Sequence, residues 1–547
     1  MALRGWTYFA TLALVVSTGC QPAPDASRGS IRFHIEVLLR QPFPAAVWKA
    51  RDAERLFSEL AELYQARDFE PLWVRESRLS EQGAAVLDVL YRAPEHGLRR
   101  SDYLVRVLAP ESFPPNFAAS SAETKAHVDI SLSFATMRYI KDVHEGRLSP
   151  RELELGLDIM HDHKDLATEI EPIAVAVDAE NALDAFAPSY PQYDELKSAL
   201  ELYRRLAETY SWRRMKSNET IQPGEIYDDV DILRQRLRRT GDLLENDVSE
   251  GRSYDPVLVA AVKRFQHRHS LNTEGVLGPR TFADLNTTWS DRVAQIVASM
   301  ERWRWIPEHT NETHLIANIP EYQLRAVTPT GDVEFISRLI VGQTYNHLRT
   351  PIFFGELRYI DFRPYWNVPL SIIERELSES LDEPGYFEKH RYEIVASTNL
   401  EAQALPVSAE TIAKVRTGAL RLRQKPGPGN ALGLVKFIFP NEHSVFLHST
   451  PARYLFRREE RAFSHGCVRV EDAARLAEWV LEGQDDWNRE TIRDAMVAGP
   501  TTRVFVERDV PVYILYLTAF VEPVVGDLHF GHDIYGLDAE LAHALGY

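Results

Sequence analysis

The sequence predicts a multi-domain α+β fold with a helical scaffold, a small three-helix module, and a mainly β domain into which a helical subdomain is inserted. The length of 547 residues is enough for three or four domains of roughly 150 residues each. Apolar residues follow helical spacing before about residue 313 and alternate with polar residues after it, which indicates a change from helices to strands. The strand pattern lapses over residues 370–423, a stretch too long for a plain loop.

The composition excludes some classes of partner. A hydrophobic content of 44% with 26% charged residues is ordinary for a globular protein. The net charge of −18 argues against a nucleic-acid partner, because phosphate recognition requires a basic surface. After the first twenty residues, no apolar run approaches the about 20 residues that a membrane-spanning helix needs.

Residues 1–20 are typical of a signal peptide. Arg4 supplies a positive charge, and a short apolar run and small residues precede Cys20, as in exported proteins. The small residues resemble a bacterial lipobox, in which the cysteine is lipidated, although Ser17 stands where leucine is usual. An ordinary cleaved signal or an uncleaved anchor is the alternative to a lipoprotein.

We therefore expect an exported protein of the periplasm or envelope, with Cys20 as a candidate lipid anchor and that lipid as its one membrane contact. Gln21, rather than aspartate, follows Cys20. By analogy with bacterial sorting, this favours the outer membrane. Residues 21–44 are interpreted as a tether, since the first ten are polar and contain proline.

Two helical regions precede the β domain. Residues 45–222 are predicted to be a scaffold domain without chemistry of its own, and residues 223–287 a compact three-helix module. In the module, Asp255-Pro256 is a favoured helix start, because an N-cap precedes proline at the first helical position. Residues 288–311 predict a linking helix, whose tryptophans are interpreted as packing residues rather than sugar-binding residues.

The β domain is predicted over residues 312–505. Its alternating segments are 314–319, 322–328, 333–341, 357–362, 431–439 and 444–448. The insert, about 370–423, has helical character and is either a lid or a decorative subdomain, because long inserts beside active sites often serve as lids. Residues 506–547 are a C-terminal segment that we expect to return to the scaffold.

Cys467 is the residue most suggestive of chemistry. The chain has two cysteines, and if Cys20 is acylated or removed, Cys467 has no partner for a disulfide. An odd exported cysteine is either an accident or a reactive thiol. A thiol with an ordinary pKa of about 8.5 needs a base or a positive field, and His448 and His465 are the two candidate bases. A zinc site that combines His443 with these residues matches no ligand spacing, so we expect no metal and no other cofactor.

Two sets of motifs resemble known families. The segments Tyr254-Asp255, 261–266, 275–281 and Leu285-Asn286 resemble the peptidoglycan-binding module of bacterial wall enzymes. That resemblance leaves glycan binding and a spacer role open. His448 followed by Ser464-His465-Gly466-Cys467-Val468-Arg469 is similar to the signature of L,D-transpeptidases with a YkuD-type catalytic domain. Residues 364–369, 423–433, 436–437, 439–441, 511–516 and 532–536 resemble the large multi-domain branch of that family, which carries a wall-binding module and a capping subdomain.

The resemblance implies roles for individual residues. Cys467 would be the nucleophile and His448 its general base. The residues implied to orient the imidazole or line the oxyanion region are Ser449, Ser464, His465 and Gly466. The residues that the resemblance assigns to substrate binding are Arg469, Trp366, Asn367, Lys436 and Asn430.

The implied activity is formation of 3-3 cross-links in peptidoglycan through a cysteinyl thioester, with release of D-Ala from a donor tetrapeptide stem. The implied partners are peptidoglycan stem peptides and glycan, and carbapenems would acylate the cysteine. An L,D-carboxypeptidase or a protein-to-peptidoglycan transferase would use the same thioester. A wall-binding lipoprotein with an idle domain is the alternative from another class.

Overall fold

The computed structural model describes residues 29–43, 52–104, 106–109, 113–114, 116–151, 153, 165–216, 219–306, 312–345, 348–522 and 526–547. The signal peptide and Cys20 lie outside the described residues, and their interpretation stays a prediction. Within these ranges, no helix combines the length and the apolar character needed to cross a membrane.

The N-terminal helices are α1 (Ile31–Leu39), α2 (Ala53–Ala66), α3 (Glu81–Tyr91), α4 (Ala122–His144), α5 (Leu166–Val175), α6 (Ala179–Asp184) and α7 (Pro191–Thr209). The expected tether is thus a helix over part of its length. The Ser30 side chain accepts a hydrogen bond from Phe33 N, and α1 buries Ile35 and Leu39. The apolar face of α1 explains why this part of the segment is folded.

The described chain divides into two compact units. The first comprises residues up to 91 together with 101–138 and 165–182, and the second comprises 92–100, 139–164 and 183–547. Helix α7 therefore belongs to the second unit, although the sequence placed it in the scaffold domain.

A buried carboxylate organises the first unit. Asp129 is fully buried and accepts hydrogen bonds from the backbone N–H groups of Leu72, Trp73 and Val74 at 2.7–2.9 Å. The Tyr64 hydroxyl donates to the same carboxylate. Burial raises the pKa of Asp129, while these hydrogen bonds lower it. Because a buried charge is tolerated only when it is hydrogen-bonded, this cluster fixes the 72–74 loop on α4.

The three-helix module is present as predicted. Its helices are α8 (Val230–Arg239), α9 (Pro256–Arg268) and α10 (Pro279–Leu285). The Asp255 side chain caps α9 by accepting from Leu258 N at 2.9 Å. The linking helix α11 (Trp289–Arg304) follows, and Trp303 and Trp305 are 3% and 1% exposed. This burial confirms that the two tryptophans are packing residues.

The module is docked on the rest of the second unit. Arg268 forms a buried ion pair with Asp242 and donates to the Leu528 carbonyl at 2.8 Å. On another side, Arg280 contacts Glu459 and Glu460, just before the Ser464–Arg469 motif. The module is therefore held against the β domain rather than hanging from a free spacer.

The β domain contains one large curled sheet. Its strands are β1 (His314–Asn318), β2 (Gln323–Val327), β3 (Val333–Gly342), β4 (Phe353–Glu356), β5 (Tyr359–Phe362), β10 (Val435–Ile438), β11 (Leu447–His448), β12 (Ala462–Ser464), β13 (Val468–Val470), β14 (Thr502–Phe505) and β15 (Pro511–Leu515). The strand order is β14-β5-β10-β11-β13-β3-β2-β1-β15-β4, and β12 pairs with β3. Strand β4 lies at one edge of the sheet, and β5 is second from the opposite edge. Because only two residues join β4 to β5, the sheet must curl until its two edges approach each other.

The insert differs from the helical subdomain that the sequence predicts. Strands β6 (Trp366–Asn367), β7 (Tyr392–Val395), β8 (Ala404–Leu405) and β9 (Arg421–Gln424) form a second sheet in the order β6-β9-β7-β8. Its helices are α12 (Leu370–Ile372), α13 (Tyr386–His390) and α14 (Ala409–Arg416), with a π-helical turn at Ile373–Leu377. The prediction of a helical insert holds for its three helices but missed its sheet, because β7 is buried on both faces and lacks the alternation by which an exposed strand is recognised.

The C-terminal segment contributes to the large sheet before it contacts other parts of the second unit. Helices α15 (Ala473–Val480) and α16 (Arg489–Val497) precede it, and β16 (Ala519–Val521), β17 (Leu528–Phe530) and α17 (Leu537–Leu545) complete it. Strand β15 runs parallel to β1 and antiparallel to β4. The end of the chain then meets the predicted scaffold range, where Arg147 donates to the Leu545 carbonyl at 2.9 Å and Arg204 to the Tyr547 hydroxyl at 2.8 Å.

Gly342 marks a close backbone approach at the end of β3. A Cβ atom there would lie 2.1 Å from the Leu348 carbonyl oxygen and 2.5 Å from Thr350 N. Both neighbours are backbone atoms, so relief requires a shift of the main chain.

We predict that Gly342→Ala destabilises the protein by about 1–3 kcal/mol, the usual cost of overpacking. The measurement is the thermal unfolding midpoint of the full chain. Gly429→Ala is the matched control, because a Cβ atom there meets nothing within 4 Å. Equal midpoints for the two variants would contradict the close approach.

Candidate active site

Three adjacent strands bring the candidate catalytic residues together. Strand β11 pairs antiparallel with β10 and parallel with β13, so that His448 lies between Lys436 and Arg469 in the register. Residues directly opposite on neighbouring strands share one face of a sheet. The same row continues to Asp361, which pairs with Lys436 and is held by Arg503 through two hydrogen bonds of 2.7 and 2.9 Å.

His448 is held rigidly in one orientation. It is 4% exposed, and its Nδ1 lies 2.6 Å from the Ser449 carbonyl oxygen. Because a carbonyl can only accept, Nδ1 carries the hydrogen and Nε2 is left as the proton acceptor. The Ser449 hydroxyl accepts in turn from Leu434 N at 2.7 Å and Val435 N at 3.1 Å. The expectation that the Ser449 backbone orients the imidazole agrees with this geometry.

The position of the Ser449 hydroxyl also explains why residue 433 is a glycine. Gly433 has a φ of +68°, and a Cβ atom there would lie 2.2 Å from the Ser449 hydroxyl oxygen. Both the left-handed backbone and the lack of space therefore require glycine.

Cys467 follows a tight turn between β12 and β13. Gly466 has a φ of +108°, which favours glycine. The Ser464 hydroxyl donates to the Cys467 carbonyl at 2.5 Å and accepts from Gly466 N at 3.2 Å. The thiol is half-buried, with Sγ 3.8 Å from the Ser444 carbonyl oxygen.

The turn engages one of the implied oxyanion residues. The Gly466 N–H donates to the Ser464 hydroxyl, and its implied place in the oxyanion region stays a prediction. Among the described residues, the Cys467 N–H has no acceptor, and it remains a candidate oxyanion donor.

The C-terminal segment fastens the catalytic turn through Thr350. The Thr350 hydroxyl donates to the Gly466 carbonyl at 2.8 Å and accepts from Gly342 N at 2.8 Å. The Tyr535 hydroxyl accepts from Thr350 N at 3.1 Å and donates to the Gly342 carbonyl at 2.8 Å. These four hydrogen bonds tie α17's leading segment, β3 and the catalytic turn into one network.

Electrostatics set the resting protonation of the site. Burial, with Arg469 and Lys436 nearby, lowers the pKa of His448 to about 3, although backbone hydrogen bonds to Ser449 and Leu432 raise it. Burial raises the pKa of the Cys467 thiol, against a hydrogen bond from the Phe446 backbone and the two cations. Burial also lowers the pKa of Lys436 and of Arg469. At neutral pH the resting pair is therefore a neutral thiol and a neutral imidazole, not a thiolate–imidazolium pair.

The thiol and the imidazole line one cavity of about 350 Å³. The insert forms one wall. The lining residues from the insert and the strand before it are Trp366, Pro369, Ser371, Ile372, Arg375 and Glu376. His465 Nε2 contacts the Glu376 carboxylate, which joins the catalytic motif to the insert. The His465 side chain therefore lines the cavity and contacts the part of its wall that the insert contributes.

The other predicted substrate contacts divide into two groups. Trp366 and Arg469 line the cavity, whereas Asn367 is exposed and pairs with Arg423 on β9, outside the lining. Asn430 is 1% exposed and makes hydrogen bonds to the backbone carbonyls of Pro364, Gln424 and Lys425 and to Leu432 N. Its substrate-binding role is wrong because its polar atoms are used to hold the backbone of the 424–432 turn.

Lys436 does not belong to the lining of the cavity. Its Nζ is 3.6 Å from the centroid of the Phe446 ring, a cation–π contact. Its positive charge lowers the pKa of both the thiol and the imidazole.

Sequence reasoning missed Thr350, Tyr535 and Glu376. Thr350 and Glu376 stand in no motif that we recognised, and Tyr535 lies in a segment whose contact with the catalytic turn depends on the long-range pairing of β15. In the part of the chain that the structure describes, no three His, Cys, Asp or Glu side chains converge on a metal-sized site.

A thiol and a neutral imidazole that line one cavity define a candidate cysteine-dependent catalytic site, and comparison with known proteins indicates its family. Residues 312–506 match the family model "L,D-transpeptidase catalytic domain", and residues 227–285 match "Putative peptidoglycan binding domain". Residues 58–200 match "Scaffold domain". Residues 312–506 therefore form a catalytic domain of the L,D-transpeptidase (YkuD) family, accompanied by a peptidoglycan-binding domain and a scaffold domain.

A curated relative supports the same family. A protein of Haemophilus influenzae named "Putative L,D-transpeptidase" is 32% identical over 253 residues. The match covers 46% of this chain and 50% of the relative, so the chain spans about half the length of the curated relative.

We predict that Thr350→Val slows the reaction of Cys467 by about 10-fold, because the turn loses the hydrogen bond that fixes the Gly466 carbonyl. The measurement is the rate of alkylation of Cys467 by iodoacetamide, followed by intact mass. Thr350→Ser keeps the hydroxyl and should react at nearly the wild-type rate. A Val variant as fast as the Ser variant would show that the network does not position the turn.

The protonation state predicts a pH profile. Alkylation of Cys467 by iodoacetamide should rise with pH and inflect above the ordinary thiol value of about 8.5, because burial raises the thiol pKa. Lys436→Met removes a cation that stabilises the thiolate, so its inflection should lie at higher pH. A rate that is already maximal at pH 6–7 would instead indicate a preformed thiolate–imidazolium pair.

Proposed function

We propose that this protein is a peptidoglycan L,D-transpeptidase that forms 3-3 cross-links through a thioester on Cys467. The observation that carries the proposal is the shared cavity of Cys467 and a neutral, oriented His448. A neutral imidazole can accept the thiol proton as the sulfur attacks, which is the task of a general base.

The first half-reaction is acyl transfer to the enzyme. The proton of Cys467 moves to His448 Nε2 while Sγ bonds to the carbonyl carbon of the third residue of a donor tetrapeptide. The Cys467 N–H stabilises the developing oxyanion. The C–N bond to the terminal D-Ala then breaks, and the imidazolium gives its proton to the departing amine. A thioester remains.

The second half-reaction transfers the acyl group to an amine. The side-chain amine of the third residue of a neighbouring stem, diaminopimelate, attacks the thioester carbonyl and gives its proton to His448. The C–S bond breaks, and Sγ recovers the proton. The product is a 3-3 peptide cross-link.

Two alternatives share the first half-reaction. Water in place of the amine gives an L,D-carboxypeptidase, and a protein lysine gives a protein-to-peptidoglycan transferase. The insert favours transpeptidation, because a wall over the thioester limits access of water. A wall-binding lipoprotein with an idle domain is the alternative from another class, and the ordered thiol–imidazole site argues against it.

The proposal extends to the location and partners of the protein. The N-terminal sequence supports export to the periplasm or envelope, with Cys20 as a candidate outer-membrane lipid anchor. The docked module supports contact with glycan near the catalytic cavity. Carbapenems are the expected inhibitors, since their β-lactam carbonyl can acylate the same thiol.

We predict that Cys467→Ala abolishes product formation from muropeptides and that His448→Gln lowers the rate by about 10²–10⁴-fold, the usual contribution of a general base. The products are separated by chromatography and identified by mass, which distinguishes cross-linked dimers from hydrolysed tripeptides. His543→Gln, on the exposed face of α17, is the control and should react like wild type. A wild-type protein that forms no adduct and no product would support the idle-domain alternative.

A further inference from the structure

We propose that Arg469 binds the C-terminal carboxylate of the donor stem, on the residue that leaves, and thereby selects donors with one residue beyond the scissile bond. This inference rests on the proposed function and assigns a specificity-determining residue within the same site.

The first argument is an unmatched charge. Arg469 lines the cavity, and its Nε is buried without a hydrogen-bond partner. Arg325 and Arg423 are buried, and each is paired with a carboxylate, Glu321 and Glu393 respectively. Arg469 is partly buried, and it forms no ion pair with another described residue. A guanidinium with a buried nitrogen is costly to leave unpaired, and its planar fork fits a carboxylate.

The second argument is the distance between Cys467, which directly precedes β13, and Arg469 within it. The two residues are two positions apart, so in an extended chain their side chains would lie on one face with Cα atoms roughly 6.6 Å apart. The attacked carbonyl must come within about 3–3.5 Å of Sγ, and the carboxylate of the next residue lies about one residue length, roughly 3.8 Å, beyond it. The carboxylate of a one-residue stub therefore reaches Arg469, whereas a stem longer by one residue would carry its carboxylate past the guanidinium.

The third argument links the carboxylate to proton transfer. Arg469 is one of the cations that lower the pKa of His448. A carboxylate bound to the guanidinium offsets that charge and makes the imidazole a stronger base while the donor is in place. Lys436 cannot take this role, because it stacks on Phe446 and does not line the cavity.

A second carboxylate on the donor competes for the assignment. The third residue, diaminopimelate, has a carboxylate at the far end of its side chain, beyond three methylene groups from its Cα atom. Both sources share the same chemistry, and the experiment separates them by amidating each in turn.

The test measures thioester formation by intact mass with four synthetic stems. They are the free-acid tetrapeptide, its C-terminal amide, a stem with the diaminopimelate side-chain carboxylate amidated, and a pentapeptide. Wild type should acylate the free acid about 10–100-fold faster than the C-terminal amide or the pentapeptide, as expected for a lost charge-assisted contact. Arg469→Gln should slow the free acid by a similar factor and bring the acid-to-amide ratio close to one.

Matched variants separate this role from a general effect. Arg469→Lys keeps the positive charge without the planar guanidinium, and it should give an acid-to-amide rate ratio between those of wild type and Arg469→Gln. Arg375→Gln removes a cation that the insert contributes to the same cavity and should keep the wild-type ratio. In Arg469→Gln, the acid limb of the pH–rate profile should also move to higher pH, because the imidazole loses a neighbouring cation.

Three results would overturn the assignment. Arg469→Gln could slow the acid and the C-terminal amide equally, with the ratio unchanged, which would give Arg469 a role in positioning alone. The effect of Arg469→Gln on the acylation rate could disappear with the stem amidated on the diaminopimelate side chain instead. That result would show that Arg469 binds the side-chain carboxylate. Arg375→Gln could lower the ratio as much as Arg469→Gln, which would point to diffuse charge. If wild type forms no thioester with any stem, the proposed function fails and not merely the carboxylate assignment.

Discussion

The pairing of the two-residue strand β11 between β10 and β13 is the constraint on which the site depends. It places the imidazole of His448 between two cations on one face of a buried sheet. Burial and those cations together keep the ring neutral, and the Ser449 carbonyl fixes which nitrogen accepts a proton. A strand this short has little stability of its own, so the position of His448 is decided by the longer neighbouring strands and by the hydroxyl of Ser449.

The parts of the chain that support the site are far apart in sequence. The hydroxyl of Tyr535 reaches Thr350 and Gly342, and Thr350 holds the carbonyl of Gly466. On the other side, Glu376 of the insert contacts His465. The catalytic turn is thus held from behind by the C-terminal segment and meets the insert across the cavity. A change in either segment can alter the reactivity of the thiol without touching the thiol.

Local patterns predicted much of this structure. The helical spacing and the tryptophans of the linking helix gave α11 within one residue of its observed start, and the Asp255-Pro256 cap gave the start of α9. The motif around Cys467 and His448 identified the two residues that share the cavity. Helix periodicity, helix capping and short motifs all depend on residues close together in the sequence, so they can be read from the sequence alone.

The remaining features depend on pairing between distant segments. Strand β7 is buried on both faces and shows no alternation, so the insert was predicted to be helical. Asn430 was assigned to substrate because it lies in a family-like segment, but its amide is used by the backbone of the 424–432 turn. The N–H of Gly466 is taken up by Ser464, a contact that residue type alone does not indicate. The position of β15 between β1 and β4 likewise follows from register, which no short stretch of sequence specifies.

The curl of the large sheet has a consequence for solubility. A flat sheet of ten strands would present long unpaired edges, which promote edge-to-edge aggregation. Here the two terminal strands, β14 and β4, are four residues each, and they carry Arg503 and Glu356, whose charges are held in ion pairs with Asp361 and Arg358. Short, charged edges leave little backbone for another chain to pair with. The short, charged edge strands of the curled sheet therefore protect the domain from self-association through its strands.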